Sequence, residues 1–293
     1  MLRKTASRKA KETIFFILPL FSLLLIFGVF PLVFNFYLSL HEVTFITFLR
    51  GITKFTGLKN YVDVFNYSLF HRTLFNTLVF TTGSLFFQLL IGLFLALLFN
   101  KRFPLNSVLH ALIMLPWFIP IVASGTVWRF LLNDTGIINN FLSPLFGVKI
   151  SFLTDPDIAI YSLTLANIWL GIPFNYILIL TGLKSIPIEI LESAELDGAG
   201  EWQKIRYIQI PLLKDVIVVT LLLGSIFTLK VFDLVWVMTR GGPGGATHLF
   251  STLAYYVSFD RLNFGQGAAI CTLLLIVMLP FIIAFLRMGG RER

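Results

Sequence analysis

The sequence predicts an all-α integral membrane protein with six transmembrane helices. Three observations carry that prediction. Of 293 residues, 57% are hydrophobic and 13% charged, with a mean hydropathy of +0.86, more apolar surface than a soluble domain buries. The apolar runs are helix-length, and in lipid every backbone polar group must be satisfied internally, as a helix does. The basic residues gather at the ends of those runs, so the net charge of +8 reads as membrane orientation and not as nucleic-acid binding.

The spans are Ile14–Leu38, Thr73–Phe99, Ser107–Leu131, Ile158–Leu180, Leu212–Val237 and Ala268–Leu286. The first resembles a signal peptide in its apolar core. It is too long for one, carries Pro19 and Pro31, and lacks a small-x-small cleavage site before Leu38, so it stays as a span. One membrane domain then covers residues 14–288, between tails at 1–13 and 289–293. The region from His41 to His71 is the longest external loop and reads as a cap on the outer face. The 32 Phe suit lipid-facing surfaces. Cys271 lies in an apolar run; as the one cysteine it permits no internal disulfide, and a packing role suits it.

Orientation follows from lysine and arginine. With the N-terminus in the cytosol, the cytosolic segments hold Arg3, Lys4, Arg8, Lys9, Lys11, Lys101, Arg102, Lys184, Lys204, Arg206, Lys214, Arg287, Arg291 and Arg293. The external segments, longer in total, hold half as many: Arg50, Lys54, Lys59, Arg72, Lys149, Arg240 and Arg261. The positive-inside rule therefore puts both termini in the cytosol.

Between the fourth and fifth spans lies a polar island, Pro187 to Pro211. Ser185 and Pro187 are helix start signals. Glu189, Glu192 and Glu195 recur every third residue, and Gly198 follows Asp197 where a chain leaving a helix needs positive φ. Trp202, Ile205 and Ile208 then form one stripe of a second, amphipathic helix. Helix, glycine turn, amphipathic helix and re-entry into the membrane make the shape of a docking element.

This stretch resembles the EAA loop of binding-protein-dependent ABC importer permeases. Glu192, Ala194, Asp197, Gly198, Ala199, Ile208 and Pro211 match the pattern; Ser193 replaces an alanine, and Ile205 stands where phenylalanine is usual. The resemblance implies the type I importer permease fold, with residues 185–211 as a coupling-helix loop in a cleft of a cytosolic ATPase. The side of the membrane that the motif requires is the one that the charge bias assigns.

The remaining spans hold candidate chemistry. In the third, Pro116 and Pro120, with Trp117, Ser124, Gly125 and Thr126 nearby, interrupt the helix ladder; such breaks occur in ordinary kinked spans and beside cavities. In the fourth, Asn167, Gly171 and Phe174 share a face. An amide in mid-span either binds a neighbouring helix or faces a pathway. A sugar needs amides, aromatic faces and close backbone, and this face offers all three. In the fifth, Lys230 and Asp233 stand three apart and can pair, either to fix helix rotation or as part of a site. The chain has no Gly-x-x-x-x-Gly-Lys-Ser/Thr, Phe45 stands where His41-Glu42 would need a zincin histidine, and the four histidines are scattered. Catalysis by this chain is not expected.

Met-Thr-Arg-Gly-Gly-Pro from Met238 to Pro243, with Asp233 before it and Asn263-Phe-Gly-Gln-Gly-Ala-Ala269 after it, resembles the carbohydrate-uptake branch. More narrowly it is similar to the first permease of maltose and glycerol-phosphate type importers, from Ile14 to Phe285. By that resemblance the sugar pathway uses Trp117 on the third span. It uses Asn167, Leu170, Gly171 and Phe174 on the fourth, and Phe227, Thr228 and Val231 on the fifth. Ile121 and Val231 stand where more polar residues occur in the family. The implied setting is a bacterial or archaeal cytoplasmic (inner) membrane. The implied partners are a second, homologous permease, two copies of a cytosolic ABC ATPase that bind ATP and Mg, an external solute-binding protein, membrane lipid and a sugar-like substrate. No nucleic acid and no cofactor on this chain are expected. Two alternatives stay open: an importer for a compatible solute, amino acid or peptide, and an ion-coupled secondary transporter, for which only Asp233 offers an intramembrane carboxylate.

The topology has a direct check. Asp134→Cys should react with an impermeant thiol reagent added outside, and Glu201→Cys only after permeabilisation. Equal labelling of both from outside would overturn the charge argument.

Overall fold

The computed structural model describes residues 17–101 and 104–289. The first three residues of the predicted first span, Arg102 and both tails except Gly289 lie outside them. The helices are α1 (Ile17–Ser39), α2 (Phe45–Leu49), α3 (Lys59–Phe65), α4 (Phe70–Phe99), α5 (Asn106–Phe118), α6 (Ile121–Leu131), α7 (Ile137–Phe146) and α8 (Ala159–Lys184). They continue as α9 (Ile188–Leu196), α10 (Glu201–Leu212), α11 (Lys214–Leu229), α12 (Asp233–Met238), α13 (Phe250–Tyr255) and α14 (Phe264–Gly289). Helices α1, α4, α8 and α14 are each long and apolar enough to span unbroken; the pairs α5–α6 and α10–α11 are bent by 99° and 63°.

The chain divides into two compact units. One is Met1–Asn66 with Ala254–Thr272, the other Tyr67–Leu253 with Leu273–Arg293. In the first, Asn35 in the last turns of α1 donates to Thr272 Oγ1 at 3.1 Å, so its amide is satisfied within protein. The region expected to cap the outer face holds a small exception to the all-α prediction. Strand β1 (His41–Glu42) pairs antiparallel with β2 (Lys54–Phe55), His41 opposite Phe55. Buried Asn60 braces this hairpin by donating to the carbonyls of Ser39 and His41 at 2.9 and 2.8 Å.

The second unit is built on α4 against α8. Thr73, Thr77, Thr81, Ser84, Gln88, Gly92 and Ala96 are three or four apart on α4 and all buried. Small and polar residues at that spacing let two helices approach closely in a membrane. Gly92 is the tightest point: a Cβ there would lie 2.7 Å from Asn175 Cβ and 3.0 Å from the Tyr176 nitrogen. Two apolar clusters hold this pair at different levels. Phe80, Ile160, Leu163 and Ala166 pack with Leu234 and Val235; Ala96, Phe99, Tyr176, Ile179 and Leu183 pack with Leu213. Between the levels the packing opens.

The third span breaks at one of its two prolines. Pro116 remains inside α5, whereas Ile119 is extended (φ −85°, ψ 128°), as a residue before proline prefers. The predicted fifth span, Leu212–Val237, is corrected in part: helix α11 ends at Leu229 and α12 begins at Asp233, with 230–232 non-helical. The freed Val231 carbonyl accepts from Ser251 Oγ, which is what makes a break at membrane depth tolerable. Prolines also explain two π-helical turns. Leu25–Val29 and Ile205–Gln209 each end two residues before a proline, Pro31 and Pro211. A proline offers no N–H, so the ladder shifts by one residue to an i→i+5 bond.

Gly92→Leu should force α4 and α8 apart at a cost of about 1–3 kcal/mol, seen as a lower thermal midpoint of the detergent-purified chain. Gly28→Leu, where a Cβ meets nothing within 4 Å, should leave the midpoint in place. Equal midpoints for both variants would contradict the close crossing.

Candidate functional site

Both breaks border one cavity of about 440 Å³. Gln88 of α4 lines it, with Pro116, Trp117, Ile119 and Ile121 around the first break and Asn167, Leu170, Gly171 and Phe174 of α8. Gly224, Phe227, Thr228 and the 230–234 segment complete the lining. All eight predicted pathway residues are thus brought together. Trp117 stacks on Phe174 with ring centroids 5.5 Å apart and planes 10° apart, and Phe174 meets Phe227 edge-on at 5.6 Å. The indole is half exposed and so is the Phe227 ring, so their π-faces are available to the cavity.

Lys230 and Asp233 do not form the expected helical pair. The helix ends before Lys230, so i,i+3 geometry does not apply, and no ion pair joins them among the described residues. The Lys230 ammonium lies over the Phe227 ring, 5.2 Å from its centroid. Both charged side chains stay exposed on the cavity wall. The break takes two charges that a continuous helix would have carried through the membrane and presents them to the cavity.

Asn167 is among the residues that line the cavity, while its side chain is buried and donates to Ser84 Oγ at 2.9 Å, the helix-tying contact. Gln88 donates its Nε2 to the Asn167 carbonyl at 2.8 Å. Gly171 serves this same contact: a Cβ there would run into the Gln88 carboxamide. Sequence reasoning missed Ile119, Gly224, Phe232 and Leu234 in the lining, and also Gln88 on the wall with Ser84 behind it; the last two left a trace. The available signal was an amide inside an otherwise apolar run, continued by small residues at four-residue intervals.

The polar stretch after α8 folds as helix, turn, helix. Helix α9 follows Pro187, Asp197 closes it, and Gly198 takes φ +82°. Glu192, Ser193, Asp197 and Pro211 are exposed, and Ala194 and Ala199 half-buried. The single stripe expected on the second helix divides: Trp202 is 69% exposed, while Ile205 and Ile208 are half-buried. The π-helical turn starting at Ile205 rotates the later residues relative to the first turn. Leu196, Tyr207 and Ile188 are also largely exposed, so an otherwise polar segment presents large apolar groups to solvent.

A charge network crosses this segment. Lys204, almost fully buried, pairs with Glu195 of α9 and, at 2.6 Å, with Glu201. Glu201 accepts a second bond, from Lys101, at 2.7 Å. The Lys101 and Lys204 hydrogen bonds hold the Glu201 carboxyl down to about 2. Glu195, then Glu201, hold the Lys204 ammonium above the ordinary lysine value. A depressed carboxyl contributes above its ordinary range and loses that contribution as pH falls toward 2; a raised ammonium loses its contribution only as pH rises past the lysine range. Glu201 and Lys204 are therefore both charged at neutral pH.

Residues 88–289 match the family model described as binding-protein-dependent transport system inner membrane component. The trehalose/maltose transport system permease protein MalF of Thermococcus litoralis is 35% identical, over 99% of this chain and 97% of that protein. The sulfoquinovosyl glycerol transport system permease protein SmoG of Agrobacterium fabrum is 31% identical, over 92% and 86%. Among solved structures, a chain of a bacterial ABC transporter involved in the import of the acidic polysaccharide alginate superposes with a TM-score of 0.84. It is 26% identical, with 99% of each chain covered.

The Ser84–Asn167 bond predicts non-additivity. Ser84→Ala and Asn167→Ala should each lower the stability of the purified chain, and the double variant should lose less than the sum, with a coupling of about 0.5–1.5 kcal/mol. Strict additivity would show that the amide does not tie α8 to α4.

Proposed function

Because the chain belongs to the family of binding-protein-dependent transport system inner membrane components, we propose that it forms one half of the translocation pore of an ATP-driven importer for a sugar or sugar-like solute. It is a multi-pass inner-membrane transport subunit and not an enzyme. A second, homologous permease supplies the other half of the pore. Two copies of a cytosolic ABC ATPase bind ATP and Mg and hydrolyse the nucleotide, and an external solute-binding protein delivers the substrate. Both termini lie in the cytosol.

One observation carries the docking half of this reading. The segment 185–211 exposes Leu196, Trp202 and Tyr207 on a polar stretch outside the spans, and exposed apolar groups clustered within a polar rim mark an interaction surface. Glu192, Ser193, Ala194, Asp197, Gly198, Ala199, Trp202, Ile205, Ile208 and Pro211 form the ATPase-coupling element. Gly198 sets its turn, since φ +82° is strained for any residue with a Cβ. ATP-driven closure of the ATPases moves the element and shifts the pore between inward- and outward-facing states; their differential affinity for substrate makes the cycle vectorial.

The substrate half rests on the cavity. Trp117, Phe174 and Phe227 offer ring faces to the C–H surface of a sugar. Thr228, Lys230 and Asp233 offer groups that bond to hydroxyls. The names of the relatives, for trehalose/maltose and sulfoquinovosyl glycerol, and of the alginate importer point to hydroxyl-rich substrates. Asn167, Leu170, Gly171 and Val231 shape the wall, and Gln88 fixes Asn167 within it.

One reconstituted preparation tests both halves. Gly198→Val should insert normally, yet lose the ATPase on co-purification or lose coupled transport. Phe174→Ala should assemble and keep ATP hydrolysis stimulated by the loaded binding protein, while transport falls about five- to thirtyfold for a loss of about 1–2 kcal/mol of ring contact. Normal transport by Gly198→Val would remove the docking role. Parallel loss of both activities in Phe174→Ala, or loss of neither, would move the pathway elsewhere.

A further inference from the structure

The coupling element is joined to the cavity along the chain: α10 runs into α11, which ends at the cavity-lining segment. The charge network provides a second connection. Lys101 stands two residues beyond the end of α4, and its ammonium bonds to Glu201, the first residue of α10. Helix α4 carries Gln88 on the cavity wall, thirteen residues earlier in sequence. At the α-helical rise that separation is about 20 Å. The end of α4 is also packed where α10 meets α11: Phe99 and Ala96 share a cluster with Leu213, the residue at the 63° bend.

We propose that Lys101, Glu201, Lys204 and Glu195 form a charged clamp that fastens the coupling element to α4. The clamp provides a non-covalent route by which movement of that element reaches Gln88 and the cavity wall. The inference rests on residues 185–211 being the coupling element. Lys204 is the positioning residue. Its stem is buried and its ammonium holds carboxylates on both sides of the Gly198 turn, so it sets the angle between α9 and α10. Lys101 and Glu201 are each more than half exposed, and an exposed pair contributes little to stability. Their contribution is registration: a helix end and a loop a hundred residues apart in sequence are held in one geometry.

Charge reversal in the complete complex, reconstituted with its ATPase, second permease and binding protein, tests the clamp. The readout is substrate transported per ATP hydrolysed, which a purely structural role would not move once the complex is assembled. Lys101→Glu places two carboxylates together, and Glu201→Lys places three ammoniums together. In each, ATP hydrolysis should continue while the transport ratio falls at least about fivefold, a difference of about 1 kcal/mol. The double variant Lys101→Glu/Glu201→Lys restores the 101–201 pair but leaves an ammonium at position 201 beside Lys204, so its ratio should exceed that of either single variant without reaching the wild-type value. Lys204→Arg should retain the ratio and Lys204→Met should lose it. Where Glu201→Lys yields no complex, Glu201→Gln is read in its place, with a fall of about twofold expected. Wild-type ratios in the single variants, or a double variant no better than either single one, would overturn the clamp. Those results would leave the docking assignment standing, because that assignment fails instead by ATPase recovery and coupled transport indifferent to Gly198→Val.

Discussion

The structure depends on how polar groups are satisfied between α4 and α8. Ser84, Asn167 and Gln88 form a short hydrogen-bonded chain across that interface. Lipid offers no partner for an amide, so these side chains must find one another, and doing so brings the helices close. Glycines complete the approach, Gly92 against Asn175 and Gly171 against Gln88. Once this axis is rigid, the broken helices can be arranged around its middle. Each break frees backbone groups that only protein or a polar cavity can satisfy, and both breaks occur where the cavity is.

The same constraint explains what could be read in advance. Lipid demands long apolar runs, so the spans were visible in composition. Glycine after aspartate at the end of a short helix announced a positive φ, and Gly198 has one. Pro120 marked the first break. The second break carried no such mark: neither glycine nor proline lies among residues 230–232, and Lys230 and Asp233 have a spacing that looks helical. Thr77, Thr81, Ser84 and Gly92 are individually ordinary, so their common face emerges only when they are read at helical spacing. The bond between Lys101 and Glu201 could not be read at all. A pattern along one chain holds no measure of distance across a hundred residues.

On the proposed reading, the cavity and the coupling element answer different physical needs. The cavity needs selective but moderate contact, because a solute must leave it. Stacked aromatic rings beside exposed charges suit that, since ring faces attract a sugar without enclosing it. The coupling element needs stiffness, because displacement is lost in a loose joint. A buried lysine between two carboxylates, a glycine turn and a helix start capped by Gln203 onto the Gly200 nitrogen at 2.8 Å supply it.

The exposed apolar groups of the coupling element also bear on the life of the chain before assembly. On the proposed reading, a copy without its ATPase leaves Leu196, Trp202 and Tyr207 uncovered, an adhesive patch of the kind that draws proteases and non-specific association. Features that make the subunit a good component therefore make it a poor orphan.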